Sequence, residues 1–172
     1  MKPSTDWLLP ASVVVLAGAL AWVAADSLEP HITNVGDKAP NFKITSDRGR
    51  TFTRDDFGGK LLVLNFWASW CPPCVEETPS LNQFAREFGP QGVVVLGISI
   101  DRNEALYKKF IERFRVAFQT ARDPEAEISG NYGTFQIPET YLIDRTGHVV
   151  QKVISNQNWM DPEFLARVRQ ML

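Results

Sequence analysis

Hydrophobic residues along this chain form two short, nearly unbroken runs, with amphipathic stretches between and after them. The runs, residues 61–66 and 93–100, are typical of strands that are buried on both faces of a sheet. Helical spacing of apolar residues predicts one helix that begins at Pro72, a second over residues 103–115 and a short third over residues 124–132. Strands that alternate with helices indicate an α/β domain whose core strands are parallel.

Shorter patterns predict a hairpin before this core and a strand pair after it. Alternating runs at residues 42–45 and 51–53 surround a turn sequence and favour a β-hairpin. Residues 140–143 and 148–154 predict two strands, and the tight turn between them makes the last strand antiparallel. A final helix is expected to begin at Asp161. The predicted order of the core is therefore β-α-β-α-β-β-α.

The N-terminal segment has a different pattern, because residues 7–25 form a stretch of 19 residues without a charge. As a helix this stretch would extend about 28 Å and nearly match the roughly 30 Å hydrocarbon core of a bilayer. It predicts one transmembrane helix, and a cleaved signal peptide that ends at Val23-Ala24-Ala25 is the alternative. Residues 1–6 would be cytoplasmic, residues 26–37 a tether, and residues 36–172 a domain in the periplasm or at the cell exterior.

Composition and charge narrow the range of functions. The 172 residues carry a net charge of −2, and the sequence pI is about 5.7. Nothing in this balance favours a nucleic acid or another polyanion as a partner. The length fits one ordinary domain with an appendage.

Cys71 and Cys74 are the only cysteines in the sequence, and three kinds of site contain such a pair. A structural zinc site needs four ligands, and besides the cysteines the chain offers only His31 and His148 as nitrogen ligands of the kind that zinc sites use. A static disulfide would close a very small ring and stabilise the fold little. A pair that follows a strand and opens a helix is typical of redox chemistry. The helix N-terminus would then stabilise the attacking thiolate of Cys71, and Cys74 would resolve the mixed disulfide.

Glu77 shares a helix face with Cys74, because it lies three residues further along the predicted helix. If that face packs on the sheet, desolvation would raise the pKa of Glu77 and make it a proton acceptor for Cys74 near neutral pH. The alternative is an ordinary solvated glutamate.

Pro138 directly precedes the third core strand, and a cis peptide bond there would leave backbone groups free to pair with an extended peptide. A trans loop proline is the alternative. Trp67 is expected in the core, whereas Trp70 is expected either to line a substrate groove or to cover the disulfide.

Three segments make the chain similar to thioredoxin-fold proteins, and it most resembles the membrane-anchored thiol–disulfide oxidoreductases of the ResA/TlpA/CcmG (DsbE) type. They are residues 65–79, residues 133–144 and residues 38–42. The resemblance implies a thioredoxin fold with an N-terminal β-hairpin extension and with residues 101–136 as a central insert. It also implies a redox-active disulfide between Cys71 and Cys74.

For the site, the resemblance implies a functional acid at Glu77, a cis peptide bond at Ile137-Pro138, and a glutamate at Glu139 like the one that CcmG-like members carry. Trp70, Ile137, Pro138 and Glu139 would line the substrate groove.

The same resemblance implies an enzyme that reduces chosen protein disulfides, without a cofactor or a metal. Its partners would be a membrane thiol relay as electron donor and clients such as apocytochrome c or proteins of copper-site assembly. A thiol peroxidase and a copper-binding chaperone are the alternatives. The first would need a Thr-x-x-Cys setting, which residues 68–71 lack. The second usually has a histidine ligand, for which neither histidine has an obvious place.

Overall fold

The computed structural model describes residues 13–20, residue 22 and residues 32–172 of the chain. Residues 13–20 are helical and exposed, and the other residues of the predicted anchor, except Trp22, lie outside the described part. No helix among the described residues is long and apolar enough to cross a membrane.

The folded unit begins at Ile32, so the last residues of the predicted tether belong to it. Thr33 is buried, and its N–H donates to the carbonyl of Tyr132 at 3.1 Å. The remainder of the predicted tether lies outside the described residues.

The elements of this unit follow the predicted order, with one strand added. The strands are β1 (Lys43–Thr45), β2 (Thr51–Thr53), β3 (Leu61–Trp67), β4 (Val93–Ser99), β5 (Gln119–Arg122), β6 (Glu139–Asp144) and β7 (Val149–Ile154). The helices are α1 (Pro72–Phe88), α2 (Glu104–Phe114), α3 (Glu127–Asn131) and α4 (Pro162–Gln170).

Five of these strands form a mixed sheet in the order β5-β4-β3-β6-β7, while β1 and β2 form a separate antiparallel hairpin. β3 and β4 are parallel, as predicted, and β4 is parallel to β5. The prediction of a fully parallel core was wrong, because β6 is antiparallel to β3. The direction changes because β5, which was not predicted, takes the parallel position after α2, and the chain then returns through α3 to β6. β7 is antiparallel to β6, as predicted.

Hydrophobic residues pack on both faces of the sheet, and every residue of β3 is buried. One face carries Leu61, Val63 and Trp67 and packs against α1, α2 and α4. The other face carries Leu62, Leu64 and Phe66 and packs against the hairpin and two buried tyrosines. Burying one such leucine or phenylalanine side chain contributes about 2 kcal/mol, so β3 anchors the fold and holds the loop that follows it.

Three of the predicted helix starts are confirmed by their capping contacts, whereas α3 begins at Glu127, three residues after its predicted start, and has no side-chain cap. Cys71 is the N-cap of α1, and Pro72 follows at the first helical position. The side chain of Asn103 caps α2, and that of Asp161 caps α4 by accepting the N–H of Phe164 at 2.9 Å. Each cap satisfies backbone donors that a helix leaves free at its N-terminus.

Candidate active site

The two cysteines lie where β3 ends and α1 begins, at the carboxyl edge of the sheet. Cys71 and Cys74 form a disulfide with their Cα atoms 5.3 Å apart. The backbone N–H of Cys74 is directed at Cys71 Sγ over 3.3 Å, whereas Pro72 and Pro73 have no N–H to contribute. The N–H and the helix dipole would both stabilise a thiolate on Cys71 after reduction.

A buried carboxylate holds the loop in front of Cys71. Asp101 is 1% exposed, and it follows the end of β4 at the same edge of the sheet. Its two oxygens accept the N–H of Ser69 at 2.8 Å, the hydroxyl of Ser69 at 2.7 Å and the hydroxyl of Ser99 at 2.7 Å. Asp101 was not predicted as a site residue, although an acid directly after a buried strand was a signal that could have found it.

Glu77 faces the sheet from the second turn of α1 and is only 3% exposed. Three donors converge on its carboxyl group. Asn65 Nδ2 lies 3.0 Å from Oε1, Trp159 Nε1 lies 3.1 Å from Oε2, and the N–H of Gln157 lies 3.3 Å from Oε2. Glu77 is therefore buried against the sheet and is not an ordinary solvated glutamate. Its role in proton transfer stays a prediction.

Two opposing effects determine the acidity of Glu77. Burial disfavours the ionised form and is the larger effect, while the hydrogen bonds from Trp159, Asn65 and Gln157 favour it. The result is a pKa raised from 4.5 to about 7. A carboxyl group with this pKa can both accept and release a proton near neutral pH.

The hydrogen-bond partners of Glu77 were not predicted from the sequence. Asn65 is the one polar residue in the buried strand β3, and it also donates to Thr140 Oγ1 at 2.9 Å. A polar residue in an otherwise apolar run could have drawn attention to it. Trp159 comes 82 residues after Glu77, and no local pattern links the two.

The loop before β6 lies against the reactive pair. The Ile137-Pro138 peptide bond is cis, as the resemblance implied. The carbonyl oxygen of Ile137 is 3.6 Å from Cys71 Sγ, and the carbonyl of Pro138 accepts the N–H of Ser155 at 2.9 Å. The structure therefore brings the two segments together, and the backbone at residue 137 borders the sulfur that would react.

Glu139 lies beneath the surface and is 1% exposed. Its Oε1 is 2.6 Å from Lys152 Nζ and accepts the hydroxyl of Tyr141 at 2.9 Å. Along β6 the side chain of Glu139 alternates with that of Thr140. Thr140 shares the Asn65 donor with Glu77, so Glu139 lies on the opposite face of the sheet from Glu77. The Glu139 carboxylate is buried and engaged by Lys152, so it does not line a surface groove here. The predicted contact of Glu139 with a client stays a prediction.

The two tryptophans beside the pair have different environments. Trp67 is 3% exposed and packs on Tyr107 and Phe110, which confirms its place in the core. Trp70 is 63% exposed, and its two predicted roles, lining a substrate groove or covering the disulfide, stay predictions. Phe135, three residues before the cis proline, is 74% exposed and was not singled out from the sequence.

Comparison with known proteins agrees with this geometry. Residues 35–152 match the AhpC/TSA family. The thiol–disulfide oxidoreductase ResA of Bacillus cereus is 31% identical over 147 residues, which cover 84% of this chain and 85% of the relative. The chain belongs to the AhpC/TSA family. ResA of Geobacillus thermodenitrificans is 36% identical over 121 residues, which cover 70% of this chain and 69% of the relative.

A solved structure gives the same assignment. It is that of a secreted Mycobacterium tuberculosis disulfide oxidoreductase homologous to E. coli DsbE, which is 26% identical. It aligns with a TM-score of 0.63 and covers 76% of this chain and 96% of the solved one. The chain is thus a thioredoxin-like thiol–disulfide oxidoreductase of the ResA/DsbE type, with Cys71 and Cys74 as its cysteine pair.

Proposed function

We propose that the chain is a reductant that transfers two electrons from the Cys71–Cys74 dithiol to selected protein disulfides. The Cys71 thiolate attacks one sulfur of the client disulfide, which forms a mixed disulfide and releases the other sulfur as a thiolate. The Cys74 thiolate then attacks Cys71 Sγ, which releases the second client thiolate and leaves the Cys71–Cys74 disulfide. The observation that carries this proposal is the position of Cys71 as the N-cap of α1, with the Cys74 N–H 3.3 Å from its sulfur.

Glu77 accepts the proton of Cys74 in this scheme. Cys74 is 1% exposed, so bulk water has little access to its thiol, and a proton acceptor within the protein is required. Glu77 lies one turn further along α1, and its pKa of about 7 keeps both protonation states populated at neutral pH. The carboxyl group would then return the proton to water after the exchange.

The client groove of this proposal lies between the cysteine loop and the loop before β6. Trp70, which precedes Cys71 in the sequence, offers an exposed aromatic side chain, and Ile137 places a carbonyl oxygen 3.6 Å from the Cys71 sulfur. Pro138 shapes the backbone there. Glu139, which is buried beneath it, supports the groove from the opposite face of the sheet through its ion pair with Lys152.

We place this activity outside the cytoplasmic membrane, with residues 7–25 as the anchor. The uncharged length of this segment supports the placement. Disulfides persist in such compartments, so a dithiol enzyme there needs an electron donor, for which a membrane thiol relay is suitable. Cytochrome c maturation and the assembly of metal sites are the processes that require such a reductant, with apocytochrome c or copper-site proteins as clients.

Trapping the mixed disulfide tests the mechanism. A Cys74→Ala variant should accumulate a covalent adduct with a disulfide-containing protein, because nothing resolves the bond to Cys71. A Cys71→Ser variant should form no adduct and catalyse no exchange. The measurement is a mass shift on non-reducing gels, reversed by dithiothreitol, and exchange that persists in Cys71→Ser would exclude Cys71 as the nucleophile.

A further inference from the structure

Two adjoining clefts run along the α2 side of the cysteine loop. The first has a volume of about 240 Å³ and reaches from Ser69 and Val75, beside the two cysteines, to Arg113 on α2. The second has a volume of about 360 Å³ and begins at Trp70. Leu106 lines both clefts, so they adjoin at this residue, and together they are here called the Leu106 groove. A ligand in this groove would lie next to the reactive disulfide.

The floor of the Leu106 groove is apolar and unusually exposed. Leu106 is 50% exposed and Trp70 is 63% exposed. Exposed apolar side chains that adjoin one another beside a reactive group are typical of a surface that a partner covers. Phe110 and Phe114 continue this floor in the first cleft.

The charged residues that line the groove are predominantly basic. Arg102, Lys109 and Arg113 line it, and none of them forms a salt bridge within the described part of the chain. The acid that lines it is Asp101, which is 1% exposed and already engaged by two serines. Glu104, which lies nearby on α2, is paired with Lys108 and Arg122. Three cations against one acid give the groove a local excess of two positive charges, in a chain whose net charge is −2.

We propose that the Leu106 groove binds an acidic segment of the client polypeptide, close in sequence to the client disulfide. An apolar side chain of that segment would lie on Leu106, and its carboxylates would pair with Lys109 and Arg113. The inference rests on the proposed function, because the client is present only if the chain exchanges disulfides with proteins.

The position and charge of the groove favour this occupant over a second copy of the chain. The first cleft borders Ser69, two residues before Cys71, so a segment a few residues from the client cysteine can reach it at about 3.3 Å per residue. A symmetric dimer would bring two basic grooves together, and like charges across an interface are unfavourable.

Two synthetic peptides test the proposal, each with one Cys-x-x-Cys disulfide followed by leucine and three charged residues. The three residues are glutamates in one peptide and lysines in the other. The dithiothreitol-reduced chain should reduce the acidic peptide about tenfold faster at low salt. High salt should narrow the ratio. Tryptophan fluorescence in stopped flow follows the oxidation of Cys71 and Cys74.

The double variant Lys109→Glu and Arg113→Glu should abolish or reverse this preference. Lys43→Glu is the matched control, because Lys43 is exposed on the hairpin and lines neither cleft. Bis(2-hydroxyethyl) disulfide, which is small and neutral, measures the intrinsic reactivity of Cys71 in each variant, and the two peptide rates are divided by this rate before they are compared.

Equal rates for the two peptides with the unaltered chain would overturn the groove proposal and leave the proposed function intact. A double variant that keeps the acidic preference would overturn the groove proposal as well. Failure of the reduced chain to react with any of the three disulfides would overturn both.

Discussion

Replacing Glu77 with glutamine should remove the loss of stability that this buried carboxyl group causes between acidic and mildly alkaline pH. Burial raises the pKa of Glu77 from 4.5 to about 7 in the folded protein, whereas the unfolded chain keeps the lower value. Between these values the folded state binds more protons than the unfolded state, so stability falls as the pH rises. The contribution is complete below about pH 4.5 and is lost as the pH rises through about 7.

The size of this effect follows from the two pKa values. Each pKa unit corresponds to about 1.4 kcal/mol, so a pKa raised from 4.5 to about 7 makes ionised Glu77 cost about 3 kcal/mol in the folded state. About 2.5 kcal/mol of this falls between pH 5 and pH 8. Glutamine keeps the size of the side chain and one acceptor oxygen for Trp159, but it does not titrate.

Urea unfolding of the oxidised protein at pH 5, 6, 7 and 8 measures this difference, because the disulfide removes the thiols from the titration. The free energy of unfolding of Glu77→Gln, relative to the unaltered chain, should rise by about 2.5 kcal/mol from pH 5 to pH 8. Glu76→Gln is the matched control, since Glu76 precedes Glu77 on α1 but is exposed, and its profile should parallel that of the unaltered chain. If Glu77→Gln also runs parallel to the unaltered chain, the buried carboxyl group does not titrate in this range and the reasoning is refuted.

Two further substitutions test the groups around the cysteines. Trp159→Phe keeps an aromatic ring but removes the donor 3.1 Å from Glu77 Oε2. It should raise the pKa of Glu77 further and move the stability loss to higher pH, and an unchanged midpoint would contradict this. In the present chain the two oxygens of Asp101 accept three hydrogen bonds. Asp101→Asn leaves only one acceptor oxygen, so the loop before Cys71 should be held less firmly. Unfolding free energy should fall by about 1–3 kcal/mol and the exchange rate with a small disulfide severalfold. Ser69→Ala, which loses only one of these bonds, should show a smaller effect on both.

The centre of the fold and of the site could be predicted because its determinants are close together in the sequence. The apolar run of β3, the cysteines and the proline at the start of α1 all occur between residues 61 and 74. Burial on both faces of a sheet and the geometry of a helix N-terminus are local consequences of these residues. Helical spacing placed Glu77 on the same face of α1 as Cys74 but left open whether that face is buried.

The remaining features depend on contacts that no local pattern reveals. β5 has the sequence Gln-Thr-Ala-Arg and occupies the edge of the sheet, so it needs no apolar run and resembles a loop in the sequence. Trp159 reaches Glu77 across 82 residues, and Asp101 reaches Ser69 across 32. These hydrogen bonds exist only after the sheet has brought β4, α1 and the segment before α4 together.

The two buried glutamates near the cysteines show why burial alone does not indicate a proton acceptor. Glu77 is surrounded by neutral donors, so its charge is not balanced by a cation and burial raises its pKa to about 7. Glu139 is equally buried, but Lys152 Nζ lies 2.6 Å from its Oε1 and balances its charge. Removing the Glu139 carboxylate would leave the nearly buried ammonium group of Lys152 without its partner, which is costly. Carboxyl groups with different environments take different roles. A pKa of about 7 suits Glu77 to proton exchange near neutral pH, whereas the contact with Lys152 suits Glu139 to a fixed ion pair beneath the proposed client groove.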